Sequence, residues 1–129
     1  MLSIMLAATV DSSPVREEWV NNRADVIPFY IETYAPVTKA SFMNHSWQVC
    51  YVMKLGSIVD LLDHSRLTDK VFDDENVRGL MKEGGESIFV DNKGVFEYKA
   101  QRYVVTEDGF RGVLKRHFVC GDNFGKPAL

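Results

Sequence analysis

The run Glu86-Ser87-Ile88-Phe89-Val90-Asp91-Asn92-Lys93-Gly94-Val95-Phe96-Glu97-Tyr98-Lys99-Ala100, continuing through Thr106-Glu107-Asp108-Gly109 to Cys120, decides the fold class. Ser87 to Val90 is a short apolar run closed by Asp91-Asn92-Lys93-Gly94, which joins a turn-favouring Asp, an Asn tolerant of the left-handed region and a Gly. From Val95 to Val105 the chain alternates, with Phe96, Tyr98 and Ala100 on one side and Glu97, Lys99 and Gln101 on the other, the period of a half-buried strand. Thr106-Glu107-Asp108-Gly109 reads as a second reversal. A third strand is then expected over Phe110 to Val119, with Phe110, Gly112, Leu114 and Phe118 inward and Arg111, Lys115 and His117 outward. A three-stranded antiparallel meander at the C-terminal end is the resulting expectation.

Upstream, Met1 to Val10 places Leu2, Ile4, Leu6, Ala8 and Val10 on one parity and has no Lys or Arg ahead of the apolar residues, so a buried strand is expected rather than an export signal. Ser13 and Pro14 start a helix with Glu17 and Glu18 in its first turn. Its apolar side would hold Val15, Trp19 and Val26, and Pro28 would end it. Ile27 to Pro36 is aromatic and bracketed by prolines, which suits a short element and a loop. Trp47 to Leu55 alternates and is rich in β-formers, so a strand is expected there. Ser57-Ile58-Val59-Asp60 resembles a capping box opening a short helix to about Arg66. Asp73 or Asp74 would cap a third helix with Val77, Leu80 and Met81 toward the core, stopped by Gly84-Gly85. Strands segregated from helices give an α+β class, an antiparallel sheet with about three helices on one face.

The 129 residues suit one domain spanning 1–129, and 46% hydrophobic with 26% charged residues is an ordinary globular composition. No apolar run approaches the ~20 residues of a membrane-spanning helix. Net charge is −3, which disfavours general affinity for nucleic acid or anionic membranes. The charge is divided: Asp60 to Asp91 is acidic, whereas Lys93, Lys99, Arg102, Arg111, Lys115 and Arg116 make the expected meander basic. Cys50 and Cys120 lie in apolar runs and read as buried thiols in a reducing, cytoplasmic setting, with a disulfide left open.

No motif announces a chemistry. A zinc set of His45, Cys50, His117 and Cys120 lacks the usual close-pair spacings, so neither metal nor cofactor is expected. A thiol nucleophile at Cys50 would be raised in pKa by its apolar strand. Gly84-Gly85 follows a helix rather than opening one, the wrong order for a phosphate loop. Asp60 and His64, four apart on a helix, are the weak catalytic candidates, with Phe29, Tyr30 and Tyr34 as an aromatic wall for a small hydrolase or transferase. The favoured expectation is a non-enzymatic docking module of accessory, inhibitor or immunity type that meets an acidic protein surface through a basic sheet face. Its contact residues would be Arg102, Tyr103, Arg111, Lys115 and Arg116. Nucleic-acid binding on the same face ranks third, and an exposed edge strand offers a route to a homodimer.

Overall fold

Alternation along the strands builds a single sheet in the computed structural model, which describes residues 21–32, 35–44 and 47–120. Its strands are β1 (Arg23–Val26), β2 (Gln48–Val52), β3 (Ser65–Leu67), β4 (Val77–Glu83), β5 (Glu86–Asp91), β6 (Val95–Tyr98), β7 (Gln101–Val105) and β8 (Phe118–Cys120). They pair antiparallel in the order β3-β7-β6-β5-β4-β1-β2-β8. The helices are α1 (Lys39–Met43), α2 (Ser57–Asp63) and α3 (Glu107–His117). The α+β class and the antiparallel sheet expected from the sequence are therefore present.

The helices divide between the two faces. Met81 of β4 joins Ala24, Val26, Ile88, Val90 and Phe96 beneath Ile58 and Leu61 of α2 and Phe110, Val113 and Leu114 of α3. Its neighbour Leu80 points the other way, into a second cluster with Ile27, Val37, Val77 and Phe42 of α1. Three helices on one face were expected, but two cover one face and α1 covers the other.

The largest correction concerns Phe110 to Val119, which is helix α3 and not the third strand of a meander. Thr106 caps it, its hydroxyl accepting from Gly109 N at 3.0 Å. Glu107 and Asp108 occupy the first turn and Lys115, Arg116 and His117 the last, the charge order that a helix dipole favours. Phe110, Val113, Leu114 and His117 are buried at helical spacing. Phe110 rests on Gly79 of β4, where an added Cβ would lie 2.9 Å from its ring, and stacks on Phe29 at 5.7 Å.

The third helix expected after Asp73 is also absent; Val77 to Glu83 is strand β4, and Gly84 and Gly85, both at positive φ, turn it into β5. Val26, assigned from sequence to a helix face, ends strand β1. The expected N-terminal strand and the start of the first helix lie outside the described residues. Four consecutive strands, β4 to β7, do form a meander, displaced toward the N-terminus from the one expected.

Two of its turns rest on different physics. At Asp91, Oδ1 accepts from Lys93 N at 2.8 Å and Val95 N at 2.9 Å, and Oδ2 accepts from Asp73 N at 2.9 Å. Gly94 closes this turn at φ 83°, and a Cβ there would collide with the Val105 carbonyl oxygen. The β6–β7 turn has no such signal, because Lys99 and Ala100 occupy the left-handed region themselves at φ 50° and 65°. That conformation costs a non-glycine residue about 1–2 kcal/mol. Ala100→Gly is accordingly expected to raise unfolding free energy by about 1 kcal/mol, and Gly94→Ala to lower it by more than about 2 kcal/mol. Urea titrations of both variants check this; a neutral Gly94→Ala would contradict the packing described.

Candidate functional site

Helix α2 begins where Gly56, at φ 98°, turns the chain out of the β2 loop. Ser57 does not cap it as expected. Glu83, at the end of β4, supplies the cap from across the sheet: Oε2 accepts from Gly56 N at 2.6 Å and Oε1 from Ile58 N at 3.3 Å. A carboxylate at this end also suits the helix dipole.

One turn further on, Asp60 gathers an arginine and two histidines. Arg116 donates Nε to Oδ2 at 2.7 Å and Nη2 to Oδ1 at 3.1 Å, a two-pronged guanidinium–carboxylate contact. His117 Nε2 lies 2.9 Å from Oδ2, and His64 Nδ1 lies 2.9 Å from Oδ1. His117 is buried, and its Nδ1 donates to the Lys54 carbonyl at 2.9 Å. Its own carbonyl accepts from Met53 N at 2.7 Å and Lys54 N at 3.1 Å. The last turn of α3 thus holds both α2 and the loop leading into it. The Arg116 hydrogen bonds keep the Asp60 carboxyl below its ordinary value, with His117 assisting and partial burial opposing.

His64 Nδ1 stands beside the Asp60 carboxylate as the sequence spacing suggests, but its hydrogen bond goes to the Asp60 backbone carbonyl at 2.9 Å, and the neighbours Arg116 and His117 were not anticipated. His117, read as a surface residue of a basic strand, closes the buried side of this cluster. The chemistry available is restricted, because every lone-pair direction of Asp60 facing the cluster is engaged. His64 remains half exposed beside a groove lined by Asp63, Ser65, Arg66, Lys93 and Thr106. The hydroxyls there are committed: Ser65 Oγ donates to the Leu61 carbonyl at 2.6 Å, and Thr106 caps α3.

The other candidates fare as follows. Cys50 and Cys120 face each other across β2 and β8 and form a disulfide, so the expected buried thiols are neither nucleophiles nor metal ligands. His45 lies outside the described residues, among which no group of three or more His, Cys, Asp or Glu is placed to hold a metal ion. Phe29 packs on Phe110, Tyr30 is exposed with the Arg111 guanidinium 5.7 Å from its ring, and Tyr34 lies outside the described residues. Between Phe29, Gln48, Phe110 and Leu114 a cavity of about 20 Å³ has room for about one water.

The five expected contact residues do not share a sheet face. Arg102 and Tyr103 are consecutive on β7 and so point to opposite sides; Tyr103 stacks on Phe96 at 5.4 Å. Arg111, Lys115 and Arg116 are on helix α3. Arg111 pairs with Glu107 at 3.2 Å, Arg116 with Asp60, and Lys115 is exposed with no ion-pair partner among the described residues.

What sequence reading missed is an apolar corner. Tyr51, Met53, Leu55, Val59 and Val119 are 45 to 66% exposed, and all belong to the end of β2, the loop into α2, the first turn of α2, or β8. Tyr51 and Val119 are cross-strand partners. Alternating apolar residues at Tyr51, Met53 and Leu55 carried the signal, since they have the parity opposite to buried Cys50 and partly buried Val52.

Two aspartates give the stability profile two separate limbs. Asp60 ionises below 3.8 in the fold, so the unfolded chain binds its proton more tightly; its stabilisation is complete above 3.8 and is lost as pH falls through the lower folded value. Asp25 behaves oppositely: burial raises its carboxyl above 3.8 against the pull of Arg23 and Lys82, so stability falls as pH rises from 3.8 toward that raised value. Thermal melts across pH are expected to show Asp60→Asn flattening the acid limb and Asp25→Asn removing the loss above 3.8. The reverse assignment would contradict these environments.

No helix among the described residues is long and apolar enough to cross a membrane. Comparison with protein-family models, with curated proteins and with solved structures finds no match, so the functional reading rests on geometry.

Proposed function

We propose that this protein is a docking module whose contact surface is the apolar corner formed by Tyr51, Met53, Leu55, Val59 and Val119. The single observation that carries the reading is the collection of five exposed apolar side chains at one end of the sheet. Tyr30, Met43, Leu67 and Val71 are exposed too, but on separate elements, whereas exposed apolar side chains gathered on joined segments mark an interaction site. The corner is held in shape from behind, because the His117 carbonyl fixes Met53 and Lys54 and the His117 ring fixes the Lys54 carbonyl.

Its rim is basic. Lys54 and Lys115 are exposed around the end of α3 that holds the loop, beside Arg116, whose charge is paired with Asp60. An apolar centre with a cationic rim suits a protein partner that offers an apolar anchor among carboxylates. Two of the residues first assigned to a basic sheet face, Lys115 and Arg116, thereby keep a role at a different place. A symmetric homodimer through this corner would set the cationic rim against its own copy, which favours a partner of different composition. The nucleic-acid reading has lost the third basic strand on which it depended.

The expected cytoplasmic setting conflicts with the Cys50–Cys120 disulfide, since cytosolic thiols are kept reduced. Docking is therefore assigned to the oxidised protein. The second reading, a small hydrolase or transferase using Asp60 and His64, retains one favourable observation: His64 is oriented by Asp60 and half exposed at a groove. It lacks a presented nucleophile.

Leu55→Asp and Lys115→Glu test the leading reading. Both positions are exposed, so melting temperatures should move little, while capture of the native partner should fall at least about tenfold, roughly 1.4 kcal/mol. Unchanged capture by both variants would remove this corner as the docking surface.

A further inference from the structure

We propose that the Cys50–Cys120 disulfide is a redox latch on the docking corner; its consequence for binding rests on the docking reading above, whereas its structural effect does not. Strand β8 is three residues long and, among the described residues, pairs only with β2. Among the described residues it is the terminal strand of the sheet, and it carries Val119 of the corner beside Tyr51. The disulfide is the covalent tie that holds this short strand in register, with Cys50 fully buried and Cys120 partly exposed at the strand's end.

The remainder of the sheet does not need that tie. Strands β4 to β7 are linked by consecutive tight hairpins, β1 lies between β4 and β2, and the clusters on both faces are centred on β1, β4 and β5. Phe118 is buried in the main core cluster and anchors the inner end of β8, so opening is confined to Val119 and Cys120 at the sheet edge. Opening would release Val119 directly and loosen the Tyr51 side of β2.

The chemistry is thiol–disulfide exchange with a dithiol reductant. A thiolate of the reductant attacks Sγ of Cys120, the more accessible sulfur; the Cys50–Cys120 bond breaks and Cys50 leaves as a thiolate that takes up a proton. The second thiol of the reductant then attacks its own sulfur in the mixed disulfide and releases Cys120 as a thiol. The protein gains two electrons and two protons, and the reductant becomes a disulfide. Exchange with a disulfide oxidant, which takes up the two electrons and two protons and becomes a dithiol, re-forms the Cys50–Cys120 bond and closes the corner.

The test combines mass-resolved thiol counting, amide hydrogen exchange and partner capture, on the oxidised protein, on the protein reduced with dithiothreitol, and on Cys120→Ser. With two free thiols counted, amides at 119, 120 and 51 should exchange at least about tenfold faster while those of β4, β5 and β6 stay protected. Cys120→Ser should match the reduced protein without reductant, and capture of the partner should fall in both. Unchanged exchange at the corner after both thiols are counted would overturn the latch. Loss of protection throughout the sheet would overturn it too, because the disulfide would then be a staple for the whole fold. Faster exchange at the corner with unaltered capture would sink the docking reading, and with it the latch's role in binding.

Discussion

A single carboxylate, that of Asp60, joins the parts of this molecule that sequence order keeps apart. It sits in the first half of α2, while Arg116 and His117 come from the last turn of α3, more than fifty residues later. A guanidinium and an imidazole converging on one carboxylate fix the angle between two short helices, and the buried His117 passes that constraint to the Lys54 carbonyl. Arg116 alone, exposed to solvent, would contribute little of this, since surface ion pairs are weak. The constraint comes from the buried imidazole, whose ring nitrogens both have partners. Removing Asp60's charge would leave that ring facing an acceptor it no longer matches.

Around this junction the fold divides its labour. Glu83 reaches from β4 to cap α2, so the helix is tied to the sheet at its start and to α3 in its middle. The Phe110 ring rests against Gly79 and brings α3 onto the sheet where a larger β4 residue would hold it away. On the opposite face α1 is held by its own capping box, between Thr38 and Ser41, and by Phe42 stacked on Trp47 at 5.5 Å. The corner at β2 and β8 is where this scheme leaves five apolar side chains in solvent on joined segments.

How much of this was legible in the sequence follows from which signals are local. The β5–β6 turn was readable because Asp91 and Gly94 make its hydrogen bonds and its positive φ themselves. The β6–β7 turn was not, because Lys99 and Ala100 adopt left-handed conformations that neither residue favours, and the strand pairing on both sides imposes them. Phe110, Leu114 and Phe118 are spaced by four and so fit a strand parity as well as a helix face. Val113 and His117, together with the Thr106 cap, are what separate the two, and reading Thr106 to Gly109 as a reversal discarded that cap. Gly84-Gly85 posed the same ambiguity, since a glycine pair can end a helix or turn a hairpin. Asp60 and His64 were visible as neighbours on one helix. Arg116 and His117 joined them only through the packing of α3 on α2, and the Cys50–Cys120 pairing depends on a strand register that no local pattern encodes.

The functional account stands on the corner, where apolar exposure, a basic rim and a fixed loop coincide. The most direct measurement is site-specific photocrosslinking in a native extract under oxidising conditions, with a benzophenone side chain placed at position 55 and, in a separate protein, at exposed Leu67 on the far edge strand β3. The account predicts a discrete crosslink from position 55 to an acidic protein and none from position 67. A discrete crosslink from position 67 alone would place the interface on the other edge of the sheet and contradict it.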